Sequence, residues 1–110
     1  MSSPRLIRLI ELPQFTAWLR KLRDRVAQRA IERRLRRLID GNFGDARSVG
    51  DGISELRIDV GPGYRAYFLR RGDAIIVMLC GGDKSTQARD IALAKMLIPA
   101  AEEILNADRR

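Results

Sequence analysis

ISELRIDVGPGYRAYFLRR, residues 53–71, is the stretch on which the fold turns. Leu56, Ile58 and Val60 alternate with Glu55, Arg57 and Asp59, the period of a strand buried on one face. Gly61-Pro62-Gly63 then reads as a three-residue turn into a second strand. That turn pairs Val60 with Tyr64, Asp59 with Arg65, Ile58 with Ala66, Arg57 with Tyr67 and Leu56 with Phe68. Arg57, Asp59, Arg65 and Tyr67 then share one face, more charge than a purely structural sheet requires. Gly72-Asp73 reads as a two-residue hairpin turn into residues 74–80, AIIVMLC. That run is apolar throughout, so it predicts a central strand covered on both faces. In this register Tyr67 neighbours Met78, Arg65 neighbours Cys80, and Val77 and Leu79 join Leu56, Ile58, Ala66 and Phe68 in the core.

Upstream, RLIRLI at residues 5–10 predicts an edge strand. Pro13 suits the first turn of a helix, where its missing N–H costs nothing, and Phe15, Trp18, Leu19 and Leu22 follow at helical spacing. A second helix is predicted from about Arg25 to Asp40, its apolar stripe running through Ala27, Ile31, Leu35 and Leu38, with Gly41-Asn42 as its stop. Residues 42–52 read as a loop. After GGDKSTQ (81–87), Ser85 or Thr86 is placed to cap a last helix, which Pro99 should kink or break. The expected fold is α+β: one domain over residues 1–110, with a small, twisted, mainly antiparallel sheet in the order β-α-α-β-β-β-α. The helical hairpin packs on one face.

Composition narrows the chemistry. The first 40 residues hold 11 Lys/Arg against 4 Asp/Glu, while the remainder hold 10 of each, so the whole +7 excess lies upstream. Arg25, Arg29, Arg33 and Arg37 recur every four residues on one helical face. Such a patch suits a polyanion or an acidic protein, and equally a solvated surface. The lone Cys80 and the absence of any long apolar run or signal-like start point to a cytoplasmic protein with no membrane association. The chain has no histidine, which removes the commonest general base, the usual triads and most zinc sites. Asp59, Asp83 and Glu55 suggest a Mg²⁺ cluster, but the adjacent arginines neutralise it. No metal or cofactor is expected.

What remains is an Arg/Lys/Tyr face. Guanidinium forks match phosphate oxygens and stabilise charge developing on phosphorus. A Lys or Tyr beside other cations can move a proton. The set suits metal-free RNA cleavage, in which the ribose 2′-OH attacks the adjacent phosphate. On the residues alone the favoured reading is ordinary cross-strand pairing of Asp59 with Arg65 and of Arg57 with Tyr67.

GNFGD (41–45), ELR (55–57), GPGYR (61–65) and GGDKSTQ (81–87), in this element order, resemble the RelE/ParE superfamily of bacterial toxins, and within it the HigB-like, phage-derived branch. The resemblance runs from residue 5 to about residue 97. It implies a RelE-like fold and the toxin of a type II toxin–antitoxin module, typically a ribosome-dependent, metal-independent mRNA endonuclease that stops translation. It also admits a ParE-like inhibitor of DNA gyrase without catalysis, or a module that only joins its antitoxin in operator binding. The implied partners are a helix-turn-helix antitoxin, the ribosome and mRNA. Carried onto this chain, Arg65 and Arg57 match phosphate-binding positions and Lys84 matches the basic residue after the last strand, while Tyr67 stacks or transfers a proton. Arg25, Arg29, Arg33 and Arg37 are the expected RNA or antitoxin contacts. This chain lacks the C-terminal tyrosine and the histidine found elsewhere in the superfamily.

Overall fold

The structure, a computed structural model, describes residues 7–108. Its strands are β1 (Arg8–Glu11), β2 (Ala46–Gly50), β3 (Ile53–Ile58), β4 (Tyr64–Arg71) and β5 (Ile75–Asp83). Its helices are α1 (Pro13–Lys21), α2 (Arg25–Ile39), α3 (Gln87–Met96) and α4 (Ile98–Asp108), with a 3-10 turn at Lys84–Thr86 before α3. One five-stranded sheet has the order β1-β5-β4-β3-β2, antiparallel except for the β1–β5 pair. The α+β class and the edge position of the first strand are as expected. Arg5 and Leu6 of that predicted strand lie outside the described residues.

Local chemistry accounts for the helix limits. Pro13 occupies the first turn of α1, and Asp24 caps α2 by accepting the Ala27 N–H at 3.1 Å. At the far end Gly41 turns to φ 84°, and the Gly41 and Asn42 amides bond back to Leu38 and Arg37, which closes the helix as a Schellman motif. Pro99 separates α3 from α4 and sits in the first turn of α4, the expected break.

Three expectations need correction. The segment 42–52 is not all loop: Ala46–Gly50 forms β2, paired to β3 through the Asp51-Gly52 turn, with both residues at positive φ. As an edge strand it needs no apolar alternation, which is why its composition hid it. The β3–β4 register is displaced by two residues, with Arg57 opposite Arg65, Glu55 opposite Tyr67 and Leu56 opposite Ala66. The turn thus spans five residues, 59–63, and Asp59 leaves the strand, so the Asp59–Arg65 and Arg57–Tyr67 pairs do not form. An even displacement preserves the faces: Arg57, Arg65 and Tyr67 still lie opposite Leu56, Ile58 and Phe68.

The third correction concerns β5. Arg71 pairs with Ile75, so the β4–β5 turn spans three residues and reverses the facing of the strand. Val77 and Leu79 therefore pack away from α1 and α2, while Ile76 and Met78 join Leu56, Ile58, Ala66 and Phe68 beneath those helices. A bulge then inserts Leu79: Phe68 pairs with Met78, and Tyr67 pairs with Cys80. Arg65 consequently faces Gly82, not Cys80. The face expected to carry exposed polar groups is covered by α3 and α4, which pack Ala94, Leu97, Ala101 and Leu105 against Ile53, Tyr67, Leu69, Val77 and Leu79.

Candidate functional site

Two like charges directly opposite each other on neighbouring strands repel. Arg57 and Arg65 stand in that relation, and Glu55, two residues before Arg57 on the same face, resolves it. Its carboxylate is fully buried and lies 3.3 Å from Arg57 Nε, 3.6 Å from Arg65 Nη1 and 4.0 Å from Arg47 Nε. Gln87, the first residue of α3, donates its side-chain N–H to the second oxygen at 2.7 Å. A buried carboxylate with these donors is compensated, and in turn it holds two guanidinium groups side by side.

Those groups open onto a cleft of about 330 Å³ lined by Arg57, Arg65, Lys84, Asp45, Asp59 and the Gly61-Pro62-Gly63 turn. Lys84 is held there through its backbone, its amide donating to the Gly63 carbonyl at 2.9 Å, while its side chain is exposed. Asp83 begins the 3-10 turn by accepting from the Ser85 amide and hydroxyl, and these bonds hold its carboxyl below the usual range. Ser85 and Thr86 donate no cap to α3. Thr86 instead gives its hydroxyl to the buried Asp90 carboxylate.

Gly81-Gly82 is needed because the strand is pressed from both sides. A Cβ on Gly81 would overlap the Trp18 ring of α1, and one on Gly82 would overlap the Asp90 carboxylate of α3. The GG of GGDKSTQ thus lets two helices approach opposite faces of β5 at the mouth of the site.

Of the residues named from sequence, Arg57, Arg65 and Lys84 meet on one cleft, and Tyr67 does not. Tyr67 is completely buried beside Glu55 and Cys80, and its hydroxyl has no hydrogen-bond partner. Burial, then the charges of Glu55 and Asp90, push its phenol well above the usual tyrosine range, against the opposing pull of Arg65. That environment disfavours proton transfer, and burial precludes stacking on a base. Burial, followed by the Asp90 charge, likewise pushes the Cys80 thiol up to about 12, so it is no nucleophile. Arg25, Arg29, Arg33 and Arg37 are all exposed on α2. Among the described residues no group of three or more His, Cys, Asp or Glu side chains gathers as metal ligands, and Glu55, Asp59 and Asp83 do not cluster. No described helix is long and apolar enough to cross a membrane.

Sequence reasoning missed Gln87, Asp90 and Arg34. Arg34 donates to the Arg57 carbonyl at 2.6 Å and to the Phe43 and Asp45 carbonyls at 3.4 and 3.5 Å, which ties α2 to the rim of the cleft. Nothing distinguishes it in sequence from its arginine neighbours on the helix. Glu55 was legible as a carboxylate beside arginines, and its spacing from Arg57 on a strand was the signal for its role.

Comparison with known proteins bears on the family and the fold. The family described as phage derived protein Gp49-like (DUF891) matches residues 17–106, from within α1 to within α4. An uncharacterized protein of Haemophilus influenzae is 53% identical over 83 residues, covering 76% of this chain and 84% of that protein. The E. coli toxin RelE, solved in the free state as a double arginine-to-alanine mutant, shares the fold with a TM-score of 0.64 at 11% identity, over 84% of this chain and 99% of that one. The chain therefore belongs to the phage-derived Gp49-like family and has a RelE-like fold, as its motifs led one to expect.

Proposed function

We propose that this protein is a HigB-like toxin of the RelE/ParE superfamily, a ribosome-dependent, metal-independent mRNA endonuclease neutralised by a helix-turn-helix antitoxin and acting in the cytoplasm. The observation that carries the reading is the convergence of Arg57, Arg65 and Lys84 on one cleft, with both guanidinium groups oriented beforehand by Glu55. Preorganised donors aimed at developing charge are the largest single source of catalysis in such a site. The ribose 2′-OH attacks the adjacent phosphorus, the P–O5′ bond breaks, and the two arginines take the charge on the non-bridging oxygens. Lys84 protonates the departing O5′. The proton of the 2′-OH passes to a carboxylate of the cleft wall, Asp45 or Asp59, since Tyr67 lies out of reach.

The test is cleavage of mRNA on purified, programmed ribosomes. The expected products carry a 2′,3′-cyclic phosphate and a 5′-hydroxyl, appear undiminished in EDTA, and require Arg65. One observation favours a second reading, inhibition of DNA gyrase by binding: with Tyr67 buried, the cleft holds neither aromatic nor histidine. Intact messages on those ribosomes, beside loss of supercoiling by purified gyrase, would select that reading.

A further inference from the structure

The arginines of α2 are not equivalent, and the difference lies in where the cleft leads. A second, shallower groove of about 210 Å³ is lined by Arg33, Arg34, Arg37 and Val60, and it shares Ile58 and Asp59 with the cleft. The two depressions are therefore adjacent across the end of β3. Arg25 and Arg29, although on the same periodic stripe, line neither. Arg33 and Arg37 are exposed, and neither forms an ion pair among the described residues. Arg34, between them in sequence, spends its guanidinium on the Arg57, Phe43 and Asp45 carbonyls and so fixes the helix against the cleft rim.

We infer that Arg33 and Arg37 hold the phosphates of a single-stranded RNA that flank the one seated between Arg57 and Arg65. This deepens the nuclease reading and rests on it. The chemistry fits a polyanionic strand. One helical turn places the two guanidinium stems about 6 Å apart along the axis, as successive phosphates of an extended chain require. The exposed Asp59 carboxylate, on the wall common to both depressions, repels phosphate there and separates the two positions. Uncompensated arginines continuous with a cationic cleft are the footprint of backbone binding without base recognition. An acidic antitoxin segment on the same groove is the competing occupant, and the measurement distinguishes the two.

The experiment measures binding of a dinucleotide, which has a single phosphate, and a nonanucleotide, both 2′-O-methylated so that no attacking hydroxyl is present, by fluorescence anisotropy over a range of salt. The nonanucleotide should bind more tightly than the dinucleotide. Arg33→Ala with Arg37→Ala should abolish that advantage, lower the salt slope by about 1.4 for two lost contacts, and leave the dinucleotide unchanged. Arg25→Ala with Arg29→Ala should leave the advantage in place. The inference is overturned if the Arg33/Arg37 pair retains the advantage, if the Arg25/Arg29 pair loses as much, or if neither oligomer binds. Arg65→Ala separates this from the nuclease reading: it should weaken the dinucleotide. If it does not, while the other results stand, the cleft assignment fails and the flanking contacts remain.

Discussion

On the side of α1 and α2, strands β3 and β4 bury Leu56, Ile58, Tyr64, Ala66 and Phe68; on the side of α3, the same strands bury Ile53, Glu55, Tyr67 and Leu69. The first face is hydrocarbon with one phenol at its margin. The second carries a fully buried carboxylate, an unpaired phenol hydroxyl and, opposite them on α3, the buried Asp90. Apolar contacts are tolerant and non-directional, whereas buried polar groups demand specific partners. One side of these strands is thus apolar packing alone, while the other, within its own apolar cluster, accepts costly polar burial that holds Arg57 and Arg65 in place.

The largest effect should come where both faces press on one strand. Gly82→Ala forces the Asp90 carboxylate out of its seat, and Gly81→Ala displaces Trp18, each costing more than about 3 kcal/mol. Thermal denaturation of the two variants tests this, and near-native melting of either would break the picture of a doubly pressed strand.

Next come matched deletions on the two faces. Phe15→Ala empties a fully buried site beneath α1 and should cost about 3–5 kcal/mol in urea unfolding while sparing activity per folded molecule. Glu55→Ala leaves Arg57 and Arg65 opposed without their shared acceptor and should cost about 3 kcal/mol. It should also lower activity per folded molecule, because the arginines lose their orientation. Equal activity losses in the two variants would erase the division of labour between faces.

Smaller still is Tyr67→Phe. Its hydroxyl is buried without a partner, so removing it should be neutral or stabilising by up to about 1 kcal/mol. Growth arrest by the variant should be unchanged, and a loss would return Tyr67 to the chemistry.

The last effect is absent at neutral pH and appears only in alkali. Cys80 is raised from 9.0 to about 12 in the folded chain, and Tyr67 is raised above 10.0. Between these limits the unfolded chain has lost protons that the folded chain retains, so stability falls as pH rises from about 9. Unfolding midpoints of Cys80→Ala against the parent between pH 8 and about 11 should show a shallower decline for the variant. Parallel curves would contradict the buried, protonated thiol.

These experiments also mark what could be read in advance. The alternation of Leu56 and Ile58 with Glu55 and Arg57 identified both the strand and its site face, because strand periodicity survives any even slip in register. The slip itself was invisible: Gly61-Pro62-Gly63 signals a turn but not its length, and Asp59 and Val60 joined the loop although their alternation suited a strand. The bulge at Leu79 left no signal either, since every residue from Ile75 to Cys80 is apolar and either facing satisfies them. At the site, Arg57, Arg65 and Lys84 were legible through motif resemblance. The covering of Tyr67 was not, because α3 has little amphipathic pattern with which to announce the face it buries.

The most direct test of the central claim, that the Glu55-held arginines form the working site, is growth after induction of Arg65→Ala at a level of folded protein equal to that of the parent. Arg65 is only 14% exposed and pairs with the buried Glu55, so its loss should cost some stability, which the matched folded level controls for, and remove several kcal/mol of charge stabilisation at the phosphate. The account predicts that cells expressing the folded variant keep growing while the parent arrests them. Arrest by the variant as complete as by the parent would contradict it.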